Sequence, residues 1–116
     1  MKANENINGK TSVYGIIGDP VGHSFSPIIH NTISKAIGGG FVYVPFHVRE
    51  GDVEEAVKGA YSLGVKGLNV TVPHKKAVIP YICELERRAE AIGAVNTLKY
   101  TDNGYIGYNT DILGIL

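Results

Sequence analysis

The residues best equipped for chemistry lie in one short run, Leu68-Asn69-Val70-Thr71-Val72-Pro73-His74-Lys75. The alternation of a strand puts Leu68, Val70 and Val72 on one face and Asn69 with Thr71 on the other. Pro73 ends the strand and Lys75 follows closely, so an amide, a hydroxyl and an ammonium can converge at one strand end. The same pattern also describes a half-buried strand whose polar face meets water, followed by solvated lysines.

Two other regions add polar groups. Ser24 and Ser26 stand ahead of Pro27, and hydroxyls beside the free amides of a helix N-terminus suit a carboxylate or phosphate. Ser26 alone is equally an ordinary N-cap. Asn96 and Asp111 flank a hairpin. If Asn103-Gly104 forms its two-residue turn, Asn96 lies opposite Asp111; a four-residue loop over 101–104 instead sets it opposite Asn109. Asp111 also suits the cap of a following helix. His23, His30 and His47 read as packing residues, and His74 as either a packing or a functional one. No two histidines have zinc-ligand spacing, so no metal is expected. The chain has no G-x-G-x-x-G, no G-x-x-x-x-G-K-[ST] and no G-x-S-x-G, hence neither a nucleotide fingerprint nor a nucleophile elbow.

The elements that must position these residues follow from periodicity. Apolar runs over 13–18, 41–48 and 67–72 read as strands, and Pro45 marks the second as an edge strand. Ser26-Pro27 starts a helix in which Ile29, Ile33, Ala36 and Ile37 share a face. Asp52 and Glu55 form a capping-box-like start to a second helix, whose stripe is Val53, Ala56, Val57, Ala60 and Tyr61. One or two short helices are expected over 74–91, then a hairpin over 95–110. Strands joined by helical crossovers are parallel with right-handed connections. The expected fold is α/β: a three-layer domain with a mixed, mostly parallel sheet flanked by helices, closed by a C-terminal β-hairpin.

Composition bounds the function classes. The 116 residues are 44% hydrophobic and 19% charged, with 11 basic and 11 acidic side chains and no net charge. That length predicts a polar leader over 1–12 and one domain over 13–116 that buries roughly two-thirds of its unfolded surface. The zero net charge argues against nucleic acid. The lone Cys83 excludes an internal disulfide and a thiolate zinc cluster. The apolar runs are too short for a bilayer, and the start Met1-Lys2-Ala3-Asn4 is too polar for a signal peptide. A soluble cytoplasmic domain is the expectation; nothing in the sequence indicates an oligomeric state.

Four stretches, taken in order, resemble the substrate-binding domain of the shikimate dehydrogenase family. They are Gly22-His23-Ser24-Phe25-Ser26-Pro27, the run from Gly67 to Lys75, Gly93-Ala94-Val95-Asn96-Thr97, and Gly107-Tyr108-Asn109-Thr110-Asp111. The resemblance implies reversible NADPH-dependent reduction of 3-dehydroshikimate to shikimate, in aromatic amino-acid biosynthesis. By that analogy Ser24 and Ser26 hold the substrate carboxylate with Thr71 nearby, and Asn69, Lys75, Asn96 and Asp111 bind ring hydroxyls. Lys75 and Asp111 match the catalytic pair. NADP would be bound by the family's following C-terminal Rossmann domain, which is absent from these 116 residues, so the chain is expected to be a truncation that is inactive alone. Ile112 replaces the glycine usual after the aspartate. Two other readings remain: an enzyme that also takes quinate, and a non-catalytic binding module for a small hydroxy acid.

Overall fold

The computed structural model describes residues 7–22, 26–36, 38 and 40–110, without the side chains of Ser26, Pro27, Ile29, Ser34 and Ala36. The elements run β1 (Ser12–Gly18), α1 (Ser26–Ala36), β2 (Phe41–His47), a 3₁₀ turn (Glu50–Asp52) and α2 (Val53–Ser62). They continue as β3 (Gly67–Val70), a second 3₁₀ turn (Ile79–Tyr81), β4 (Glu84–Leu85), α3 (Arg87–Ile92), β5 (Thr97–Thr101) and β6 (Gly104–Tyr108). The strands form one sheet in the order β2-β1-β3-β5-β6-β4. β2 and β3 both lie parallel to β1, as helical crossovers require, while β5 and β6 are antiparallel to their neighbours β3 and β5. Pro45, which has no N–H to give a ladder, sits in the edge strand β2.

Register assigns each row of side chains to one of two faces. Gly15, Val44, Leu68, Leu98 and Gly107 align across the sheet, as do Ile17, Phe46 and Val70. This face meets Val53 and Val57 of α2 and Ala89 of α3 in the main core, joined by Val78, Val95 and Tyr105. The alternate rows, Tyr14-Tyr43-Gly67-Lys99 and Ile16-Pro45-Asn69-Thr97-Tyr108, form the other face. There α1 packs on the β2 side, with the His30 ring stacked on Tyr43 at 4.3 Å. Asn31 clamps the Tyr43 backbone by accepting from its N–H and donating to its carbonyl, both at 2.8 Å.

The structure departs from the sequence reading in five places. The hairpin turn is Asp102-Asn103, not Asn103-Gly104, because Thr101 pairs with Gly104. Among the described residues only glycines have positive φ, so the turn places that conformation on Gly104, at φ +131°. The Thr101 hydroxyl secures the turn, donating to the Gly104 carbonyl at 2.7 Å. Strand β3 stops at Val70, two residues short of the expected end. Asp52 occupies the N-cap position of α2 without a capping hydrogen bond, since a 3₁₀ turn leads directly into the helix. β4, a two-residue strand parallel to β6, lies within the segment expected to be helical. Finally, Ile33 is exposed, while His30 of the same helix is the residue that stacks on Tyr43. The leader residues 1–6 and His23 lie outside the described residues.

Candidate functional site

At one end of the sheet β1, β2 and β3 finish, β5 begins and β6 ends, so five chain segments meet there. Backbone bonds knit them together. Thr71 N–H donates to Ile17 at 3.0 Å and Asp19 N–H to Val72 at 3.1 Å, which joins the loops after β1 and β3. Val70 N–H donates to Asn96 and Asn96 N–H to Tyr108, both at 2.9 Å. The Lys75 carbonyl accepts from Val95 N–H at 2.8 Å, which holds the lysine beside the start of β5. Of the sequence-predicted residues, Asn69, Thr71, Lys75 and Asn96 are therefore brought to one place. Ser24 and Asp111 lie outside the described residues, as does Ile112; Ser26 opens α1 but its side chain is outside them too.

Each of these side chains has a physical setting. Asn96 is buried, and its Oδ1 accepts from Thr110 N–H at 3.0 Å, from the Thr97 hydroxyl at 3.0 Å and from the Thr110 hydroxyl at 3.2 Å. Of the two registers left open by the sequence, the observed pairing of Thr97 with Tyr108 extends to Asn96 opposite Asn109. Asn109 is also buried and donates to the Ala94 carbonyl at 3.1 Å. Thr71 is half-buried and lies over Gly18, where a Cβ would come within 2.4 Å of its Cγ2. His74 is fully buried. Its Nε2 bonds the Val48 carbonyl, which can only accept, so that nitrogen carries the proton and His74 acts as a packing residue between the β2 and β3 exits. His47 is exposed and pairs with Asp19 at 2.6 Å.

A groove of about 630 Å³ leads from this end along the sheet face that α1 leaves open. Tyr14, Tyr43, Asn69, Thr97, Lys99 and Tyr108 are among its walls. Sequence reasoning did not single out Tyr43 or Thr97. Thr97 continues the Asn96 segment and was findable by alternation, whereas Tyr43 meets Asn69 only through two successive strand registers. The groove wall presents the Asn69 amide and the Thr97, Tyr43 and Tyr108 hydroxyls, groups able to hydrogen-bond neutral oxygens.

The N-terminus of α2 does not suit a pyrophosphate. Glu54 and Glu55 lie in the first turn of α2, directly after Glu50 and Asp52. Four carboxylates thus stand where a helix N-terminus would receive a pyrophosphate. No group of three metal-ligating side chains occurs among the described residues, nor does any helix long and apolar enough to cross a membrane.

A family described as the shikimate dehydrogenase substrate binding domain matches residues 16–98. A shikimate dehydrogenase (NADP(+)) of Methanothermobacter thermautotrophicus is 52% identical over 110 residues, which are 95% of this chain and 39% of that protein. A shikimate dehydrogenase solved in complex with NADP+ superposes with a TM-score of 0.88 at 50% identity, over 93% of this chain and 38% of its own. The Listeria monocytogenes shikimate 5-dehydrogenase, solved with shikimate and NAD, superposes with a TM-score of 0.88 at 35% identity, over 94% and 38%. The chain thus spans about two-fifths of the length of these relatives. By this match, the chain belongs to the shikimate dehydrogenase substrate-binding domain family.

Proposed function

We propose that this chain is the substrate-binding part of a shikimate dehydrogenase that interconverts 3-dehydroshikimate and shikimate. The observation that carries the reading is the convergence of Asn69, Thr71, Lys75 and Asn96 at one sheet end, in a chain half identical to enzymes of that name. Asn69 and Asn96 bind ring hydroxyls. Thr71 joins Ser24 and Ser26 around the carboxylate. Lys75 meets the oxygen that changes between ketone and alcohol, where an ammonium can stabilise developing charge and supply a proton. Asp111 completes the pair with Lys75. A polyol is favoured because a site of buried amides rejects an analogue lacking a hydroxyl. NADP is bound by another domain of the enzyme, in keeping with the acidic start of α2. The lone Cys83, free in the structure, fits a reducing compartment, and we place the protein in the cytoplasm.

The chain titrated with shikimate, followed by amide NMR, should bind with roughly millimolar affinity, about 4 kcal/mol. Shifts are expected at Asn69, Thr71 and Asn96, and silence there at high ligand concentration overturns the assignment. With this chain joined to the remainder of the Methanothermobacter relative, Lys75→Ala should lower kcat far more than it raises KM. A change in KM alone removes the proton-transfer role. A joined protein that binds shikimate but never turns over supports the binding-module reading instead.

A further inference from the structure

The hydrogen bonds at the site floor admit one consistent direction, and it is anchored by a backbone group. Thr110 N–H can only donate, so the Asn96 atom at 3.0 Å from it is the carbonyl oxygen Oδ1. The Thr97 hydroxyl, 3.0 Å from the same oxygen, must donate to it. A hydroxyl has one hydrogen, so toward Asn69 the Thr97 oxygen can only accept. The Asn69 atom facing it, at a long 3.5 Å, is therefore the amide nitrogen. That leaves Asn69 Oδ1 toward Tyr43, whose hydroxyl lies 2.6 Å away and must be the donor. Tyr43 is itself held rigidly. It is buried, its ring is stacked on His30 and its backbone is clamped by Asn31.

We infer that Tyr43 is a positioning residue for substrate recognition: by donating to Asn69 Oδ1 it turns the Asn69 amide so that NH2, and not C=O, is offered to the ligand. With Asn96 Oδ1 filled by three donors, the second amide also has its nitrogen left for other partners. This side of the site reads ligand oxygens as acceptors. A bound hydroxyl must then aim its own proton elsewhere, toward an anionic or carbonyl acceptor on the opposite side. A β2 tyrosine thus contributes to specificity without touching the reacting atoms.

The test has one arm that needs no ligand and one that rests on the shikimate reading. In the free 116-residue chain, NOEs should connect the Asn69 side-chain NH2 to Thr97 Hβ and not to the Tyr43 ring. The opposite pattern overturns the inference even if shikimate binds. In the second arm Tyr43→Phe, which keeps the ring stack, should shift the Asn69 side-chain amide signals and weaken shikimate binding roughly five- to tenfold. In an Asn69→Ala background the same change should alter binding by less than about twofold. Equal losses in both backgrounds overturn the inference. If wild type fails to bind shikimate while the NOE pattern holds, the functional reading falls and the positioning of Asn69 stands.

Discussion

The two faces of the sheet are made by the same strands and come out opposite in character. Leu68, Val70 and Leu98 point into a closed core under α2 and α3, each 3% exposed or less. Their chain neighbours Asn69 and Thr97 line the open groove beside α1. Fully burying a side chain such as leucine contributes about 1.5–3 kcal/mol, so the first face carries the stability. A hydrogen bond contributes only about 1 kcal/mol net, so the second contributes little to folding and can be devoted to ligand. Rigidity on one side permits polar atoms to be held in place on the other.

Adjacent residues of β5 offer the largest test of that division. Leu98→Ala should cost about 2–5 kcal/mol of stability in a denaturant melt. Thr97→Val should cost about 1 kcal/mol, for the hydroxyl bond to Asn96, while weakening shikimate binding by about fivefold. Comparable losses of stability from both substitutions would contradict the separation of the faces.

A smaller effect is expected where the faces meet the loops. Gly18 ends β1, and an added Cβ would lie 2.4 Å from Thr71 Cγ2 and 2.9 Å from Val21 Cγ1. Gly18→Ala should therefore destabilise by about 1–3 kcal/mol through overpacking. Because Thr71 is the group that has to give, shikimate affinity should fall beyond what the loss of folded protein explains. Binding measured under fully folded conditions separates the two, and an unchanged Kd there removes Thr71 from the site.

These contrasts show which features were readable beforehand. Parallel β1, β2 and β3, the edge position of Pro45 and the alternation of Leu68, Asn69 and Val70 depend on local pattern, and local pattern is what a sequence carries. The hairpin was left between two registers, because the choice depends on where the positive φ falls and on Gly104 standing where an added Cβ would lie 3.0 Å from Cys83 Cβ. β4 was hidden since two residues show no alternation. Its pairing comes from Cys83 and Glu86 donating to Tyr105 and Gly107. Of the candidate site, Asn69, Thr71, Lys75 and Asn96 were singled out from residue type and strand ends, together with the family resemblance, and their backbones meet at one sheet end. Tyr43 was not, because a tyrosine in an apolar run acquires its polar partner only when three strands are in register.

The faces should also differ in their response to alkali, an effect absent at neutral pH and thus the smallest. Tyr105, on the core side and 1% exposed, donates its hydroxyl to the Val65 carbonyl at 2.7 Å. Burial raises its pKa well above the ordinary tyrosine value, with smaller contributions from Tyr100 and Tyr61. The folded state therefore keeps this proton when the unfolded chain, titrating near about pH 10, has released it. Stability from Tyr105 is full below that pH and falls as pH rises beyond it toward the folded value. Melts of the wild type should hold level to about pH 9 and then decline. Tyr105→Phe should be less stable at neutral pH, having lost the bond to Val65, but should show a shallower decline in alkali. An unchanged decline would place the alkaline sensitivity on groups other than Tyr105, such as its neighbour Tyr61, whose pKa burial also raises.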